Sequence, residues 1–338
     1  MAASIAVIGA TGSVGREILM ILAEQELAEA ADIVALASDR SVGQEASFGE
    51  DDELIVRSLK EFDFAGIQYA FFAIDAAETK PYALKAAAAG AMVIDCSPAF
   101  RLEPGVPLIV PEVNAAALSG AKKKIVANPS PLAIMIAAVV QPLHAAAHAK
   151  RAVVTAMQPV SGLGRSAMDE LFNQTRAVFV NDPLKPEHFT KQIAFNVIPH
   201  VGDIQKDGET TEEATLAGEA RKLIHPDFAL TATCVRVPVF IGQSATVTIE
   251  FENALSVEAA REHLKRSGIT VIDHRADEGY VTPVEVAGDD PVFVSRVRED
   301  KSVPHGLTLW CATDNLRKGA ALNAVQIFEA LQKKKKTH

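Results

Sequence analysis

A chain of 338 residues, 49% hydrophobic and 22% charged, is long enough for two domains with well-developed cores. Its formal net charge of −10 argues against nucleic acid or an anionic membrane surface as a main partner, and its longest apolar run, residues 132–140, stops at Gln141-Pro142, far short of a membrane span. The start, Met1-Ala2-Ala3-Ser4, leads straight into a strand without a basic, cleavable leader, and the three scattered cysteines (Cys96, Cys234, Cys311) lack metal-type spacing; both features imply the cytoplasm.

In chain order, residues 4–8 read as a short buried strand, followed at once by a glycine-rich turn and by helical spacing over 16–23, with apolar positions at Ile18, Leu19 and Leu22. Strands are predicted over 33–37, 69–74 and 92–94, the last after an alanine-rich helix over 80–89. Strands alternating with helices imply a parallel, doubly wound sheet. Ser130 suits a helix N-cap and Pro131 the first helical position, with the helix running toward Ala147. Residues 152–157, 233–240, 245–251 and 292–297 then form β-rich runs with few intervening helices, before a final helix over 319–332. His144 and His148 lie one helical turn apart without a carboxylate or cysteine partner, so no metal site is expected. The Lys333–Lys336 run reads as a solvated helix end that complements the helix dipole.

The turn after the first strand carries Gly9, Gly12 and Gly15, interleaved with Thr11, Ser13 and Val14. Glycines let the backbone approach a pyrophosphate, which then sits over the helix N-terminus. Ser38 and Arg40, after the second strand, fall where a ribose is recognised and could hold a 2′-phosphate, which would favour NADP; a solvated polar loop is the competing reading.

Together, Gly-Ala-Thr-Gly-Ser-Val-Gly at 9–15 and Ser-Asp-Arg-Ser at 38–41 resemble the NADP-dependent aspartate-semialdehyde dehydrogenase family. The resemblance continues through Ala99-Phe100-Arg101, Val110–Asn114, Ala127-Asn128-Pro129, Gln158–Gly162, Phe195–His200, Cys234–Val239 and Asp314–Asn323. It implies an α/β fold in which a Rossmann-type dinucleotide-binding domain (1–129 and 315–338) joins an α+β dimerisation and substrate domain (130–314). It also implies a homodimer with NADP as cofactor. Arg101 is implied as a phosphate ligand, Gln158, Glu212 and Arg236 as substrate contacts, and Asn323 as part of the cofactor-side segment. The family reaction interconverts aspartyl phosphate and aspartate semialdehyde through a cysteine thiolate, with a histidine as acid and base.

Four positions depart from that pattern. Pro131 stands where the family has its cysteine, and Gln243 where it has the histidine. Proline is unreactive and lacks an N–H, and an amide cannot shuttle a proton near pH 7. Thr215 replaces a phosphate-binding lysine, and Asp75, in Ala73-Ile74-Asp75-Ala76, sits in a loop that runs along the cofactor in the family, where an inward carboxylate would repel phosphate. Ser130 and Cys96 are weak substitutes for the nucleophile, and His200 reads as a loop-orienting side chain. The expectation is a homologue impaired in the family reaction that still binds nucleotide or a small anionic ligand. An oxidoreductase of different substrate or mechanism, and a non-catalytic regulatory or dimer-partner protein, are the alternatives.

Overall fold

The structure, a computed structural model, describes residues 4–336 and divides into two compact units at Ser130/Pro131 and Gly319/Ala320. The leader reading at Met1–Ala3 lies outside the described residues. In the first unit, β1 (Ile5–Ile8) is buried along its length and leads into α1 (Ser13–Glu24). Then come β2 (Ile33–Ala37), a hairpin of β3 (Glu45–Phe48) and β4 (Asp52–Ile55), β5 (Arg57–Ser58), β6 (Tyr69–Phe72), α2 (Ala76–Ala88), β7 (Met92–Asp95), the short α3 (Pro111–Asn114) and β8 (Ile125–Ala127).

Five of these strands and β1 form one parallel sheet in the order β5-β2-β1-β6-β7-β8. That order reverses direction between β1 and β6, the topological switch point where open α/β sheets bind ligands beyond their strand carboxyl ends. Parallel strands covered on both faces are apolar throughout, and β1 and β6 are buried at every position.

The second unit opens with α4 (Pro131–Ala147), whose residues from Leu132 to Val140 are all buried. It continues with β9 (Ala149–Gln158), α5 (Arg165–Val180), α6 (Thr211–Leu223), β10 (Ala229–Arg236), β11 (Gln243–Phe251), α7 (Val257–Arg266), β12 (Thr270–Val271), α8 (Pro283–Val286), β13 (Phe293–Glu299) and β14 (Gly306–Thr313). The mixed sheet runs β10-β9-β11-β14-β13-β12, with β9 and β10 parallel and β11 antiparallel to β9. The chain ends in α9 (Leu322–Lys336), which belongs to the first unit, where Phe328 meets Tyr69 and Phe71 edge-on at ring separations of 4.8 and 5.8 Å.

Three sequence expectations need correction. The β run at 233–240 ends at Arg236, because Pro238 has no N–H to donate and the chain turns back with the Val239 N–H bonded to the Val237 carbonyl. The β-rich half is not poor in helices, since α5, α6 and α7 lie between its strands. The last helix starts at Leu322 because Arg317–Ala321 takes a wider π-helical winding. At its other end Lys333 and Lys334 are exposed, and the side chains of residues 335 and 336 lie outside the described part. Among the described residues, no helix is long and apolar enough to cross a membrane.

Candidate functional site

Beyond the carboxyl ends of β1, β2 and β6 lies a cleft of about 460 Å³, lined among others by Gly9, Thr11, Gly12, Ser38, Asp39 and Asp75. Gly9 has φ +87°, a left-handed conformation that L side chains rarely adopt, and a Cβ there would collide with the Ala73 carbonyl. A Cβ on Gly15 would collide with the Gly9 carbonyl, so this glycine lets helix and turn pack together. Gly12 is the N-cap of α1, and no side-chain cap covers the helix's first N–H groups. A turn of this kind presents backbone N–H groups and a helix dipole to an anion.

The other cofactor candidates are placed differently. Ser13 and Val14 begin α1, and Arg40 is exposed in the 3₁₀ turn Asp39–Ser41; none of the three lines the cleft. Asn323 is fully buried and donates to the Ile109 carbonyl (2.9 Å) and to Asn128 Oδ1 (2.6 Å), which ties α9 to the strand ends and leaves it off the cleft. Asp75, by contrast, does line the cleft, together with Glu78.

At the ends of β7 and β8, Arg101 donates to the Cys96 carbonyl (2.9 Å) and the Asn128 carbonyl (3.2 Å). Asp95 beside it is completely buried and accepts from the Ser97 N–H (2.8 Å). Burial pushes the Asp95 carboxyl up to about 6, against the opposing pull of Ser97 and Arg101. Burial, with the Asp95 charge adding to it, pushes the Cys96 thiol up to about 12.

The second unit brings together Gln158, Glu212, Arg236 and Gln243. Gln158 and Arg236 end the parallel strands β9 and β10 and are register partners. Gln243 begins the antiparallel neighbour β11, one residue before the Ser244–Met157 pair, so three strand ends converge at one edge of the sheet. Helix α6 supplies Glu212 from its first turn. Its N-cap Thr210 and Glu213 bond each other's backbone N–H groups in a capping box, and Glu213 also accepts from the Cys234 N–H (2.8 Å). With Glu213 so engaged, Glu212 is the acid left to accept from Gln158 Nε2, at 2.8 Å. Thr215 lies on the same helix.

Arg236 is buried and donates to the Pro159 carbonyl at 2.6 Å. Burial lowers its pKa while the Glu212 carboxylate acts in the opposite direction, and an arginine so placed remains a cation at neutral pH. Its hydrogen bond is to the Pro159 carbonyl, and the Glu212 carboxylate acts on it electrostatically.

Pro131 is the first residue of α4. The segment Asp314–Gly319 abuts it: a Cβ on Gly319 would come within 2.9 Å of the Pro131 Cβ. In the same segment Asn315 accepts from the Gly242 N–H at 3.0 Å and donates to Ser161 Oγ at 3.0 Å. One loop thus borders Pro131 on one side and the start of β11 on the other. Gln243 is 2% exposed, and its Nε2 reaches no protein acceptor.

The remaining thiols, Cys234 and Cys311, are buried and unbridged. Burial also pushes Cys234 and Cys311 up to about 12, with Glu212 and Glu213 adding to the effect at Cys234. At pH 7 a thiol of that pKa is ionised only to about one part in 10⁵. Ser130 is buried. His200, on the loop before α6, has its N–H bonded to the Ile198 carbonyl. His144 contacts the Ala149 carbonyl through Nδ1 (3.1 Å) and stacks on His225, with His148 edge-on. Among the described residues, no group of three or more His, Cys, Asp or Glu is arranged to hold a metal.

Asp39, an acid ending the second strand, lines the cleft although sequence reasoning does not single it out. Asn315 falls within the 314–323 segment that resembles the family, and its bonds to Gly242 and Ser161 show only in the structure.

Residues 4–121 match the family model of the semialdehyde dehydrogenase NAD binding domain, and residues 140–318 that of the semialdehyde dehydrogenase dimerisation domain. The aspartate-semialdehyde dehydrogenase of Rickettsia conorii is 47% identical over 97% of this chain and 97% of its own. The crystal structure of aspartate semialdehyde dehydrogenase II from Vibrio cholerae matches with a TM-score of 0.95 at 36% identity, covering 98% of this chain and 99% of that one. The Candida albicans enzyme, solved with NADP, shares the fold at a TM-score of 0.74 and 24% identity over 98% of both chains.

Proposed function

The chain belongs to the aspartate-semialdehyde dehydrogenase family, and from that premise we propose that it keeps the family's binding framework while lacking the family's covalent route. The observation that carries this reading is the pair of replacements, Pro131 at the head of α4 and Gln243 at the head of β11. The covalent route needs a thiolate to attack the carbonyl carbon and a base to move protons around it. Pro131 carries no nucleophile, Gln243 carries no titratable group, and the thiols of Cys96, Cys234 and Cys311 stay protonated.

The glycine cleft of the first unit is the dinucleotide site in this reading, with Gly9, Thr11, Gly12 and Ser38 along it and Ser13, Val14 and Gly15 shaping the turn. NADP is a candidate cofactor, as in the Candida albicans relative solved with it. A nicotinamide dinucleotide supplies hydride transfer when bound. Arg236 holds the carboxylate of a small acid, Gln158 hydrogen-bonds it, and Glu212 receives a cationic group such as an ammonium. Arg101 provides a cationic position in the first unit. The ligand class is therefore a small amino-acid-like anion. Three cysteines without a disulfide fit a reducing compartment, the cytoplasm.

A homodimer is supported by two bare surfaces of the second unit. One face of the mixed sheet leaves Thr155, Thr231, Thr233, Thr246 and Thr248 partly or fully exposed, and α5 exposes Phe172, Val178 and Phe179. Exposed apolar surface such as that of α5 marks an interface.

The test restores the chemistry. The double variant Pro131→Cys/Gln243→His is expected to gain phosphate-dependent oxidation of aspartate semialdehyde at least about 10²-fold above wild type, the scale of a general base alone. A folded double variant that binds dinucleotide and stays at background would defeat the proposal.

A further inference from the structure

We infer that Gln243 is a ligand-recognising residue: its buried amide Nε2 donates to a carboxylate or carboxamide oxygen on the side chain of an α-amino acid. The pocket thereby tells such an amino acid from one that lacks the oxygen. The inference rests on the reading of Gln158, Glu212 and Arg236 as the pocket of a small amino-acid-like anion, and deepens it by naming the ligand's side chain.

The sheet puts Gln243 in line with those residues. Gln158 and Arg236 are register partners on β9 and β10. Gln243 falls opposite Gln158, one step beyond the Ser244–Met157 pair. Residues directly opposite on neighbouring strands point to the same face. Arg236, Gln158 and Gln243 therefore form a row across three strand ends, and Thr313 of β14 is the partner of Gln243 on its other side. All three members of the row are buried.

Buried polar groups are nearly always paired. In this row Arg236 donates to the Pro159 carbonyl and Gln158 to Glu212, whereas Gln243 Nε2 meets no acceptor. The polar groups next to it are engaged elsewhere. Thr313 Oγ1 donates to the Pro291 carbonyl (3.2 Å), and Asn315 Oδ1 accepts from the Gly242 N–H. A spare N–H donor in a row with the Arg236 guanidinium fits an oxygen acceptor brought from outside the chain. The amide is neutral, so a carboxylate oxygen and a carboxamide oxygen both serve. A site that hydrogen-bonds a ligand group rejects the analogue lacking it, because its own donor is then stranded.

Calorimetric titration of the full chain with L-aspartate, L-glutamate and L-alanine tests this, in wild type, Gln243→Met and Gln243→Glu. Met keeps the side-chain length without the donor, and Glu keeps the shape while replacing the donor by an acceptor. The wild type is expected to bind aspartate or glutamate at least about tenfold more tightly than alanine, and both variants to lose most of that ratio through weaker binding of the acidic amino acid. Because Nε2 has no partner within the chain, Gln243→Met is also expected to melt no lower than wild type without ligand, whereas loss of a bonded structural amide would lower the melting point. Equal binding of the three amino acids by the wild type, a ratio unchanged in Gln243→Met, or a lower melting point of that variant overturns the role of Gln243 while leaving the amino-acid pocket intact. Binding of none of the three by the folded wild type overturns both.

Discussion

Asp95 is the residue whose environment makes the sharpest thermodynamic statement. Its carboxyl is raised from an ordinary value of 3.8 to about 6 by burial, so the folded state binds a proton more tightly than the unfolded state. The resulting stability is fully present below the unfolded pKa and is lost as pH rises through about 6. By pH 7–8 the loss amounts to about 2–3 kcal/mol. Asp95→Asn is expected to remove this dependence, leaving the variant more stable than wild type at pH 8 and near parity at pH 4. Urea unfolding at the two pH values measures it; an unchanged difference between them would contradict the assignment. Gly9 makes a geometric statement instead. Gly9→Ala places a Cβ against the Ala73 carbonyl at φ +87° and is expected to cost about 1–3 kcal/mol and to abolish dinucleotide binding, measured by thermal denaturation and titration.

Among the elements, α6 links folding most directly to the candidate site. Its capping box fixes the first turn and thereby the position of Glu212. Thr210→Ala is expected to lose about 1 kcal/mol of stability and to weaken binding of a small zwitterionic ligand, whereas a cap that only stabilised the helix would leave affinity unchanged. Element by element, legibility followed signal strength. The strand at 33–37 is legible to the residue because Asp32 before it and Ser38-Asp39-Arg40-Ser41 after it bound an unbroken apolar run, as seen in β2. Residues 233–240 look longer as a strand than they are because Val237 and Val239 carry strand-like side chains, and only Pro238 and the reversed hydrogen bond at Val237 mark the stop. Helix α5 escapes a pattern reading because Phe172, Val178 and Phe179 are exposed on it, which blurs the apolar stripe that betrays a helix. At 210–213 the Thr-x-x-Glu capping signature is present in the sequence, yet it was not among the expected helix starts.

At the scale of the whole molecule, the glycine turn could be read from pattern alone, because its spacing reflects local backbone geometry. Gln158, Glu212 and Arg236 could not: they meet through β9–β10 pairing and the placement of α6, long-range events that leave no periodic trace, so only the family resemblance pointed to them. The exposed α5 face and the bare threonine-rich sheet face set the expectation for assembly. Phe179, 77% exposed and edge-on to Phe195 at 5.8 Å, is expected to lie in the interface. Phe179→Asp is expected to weaken self-association at least about tenfold by sedimentation equilibrium; a monomeric wild type would remove the basis for it. The central claim is a retained binding framework without the covalent route. Its most direct test is one sample of wild-type protein, titrated with NAD⁺ and NADP⁺ and then assayed with aspartate semialdehyde and phosphate for reduced nicotinamide. The account predicts dinucleotide binding with turnover at background, about 10⁴-fold or more below a working enzyme of this family. Robust phosphate-dependent turnover by the unaltered chain would contradict it.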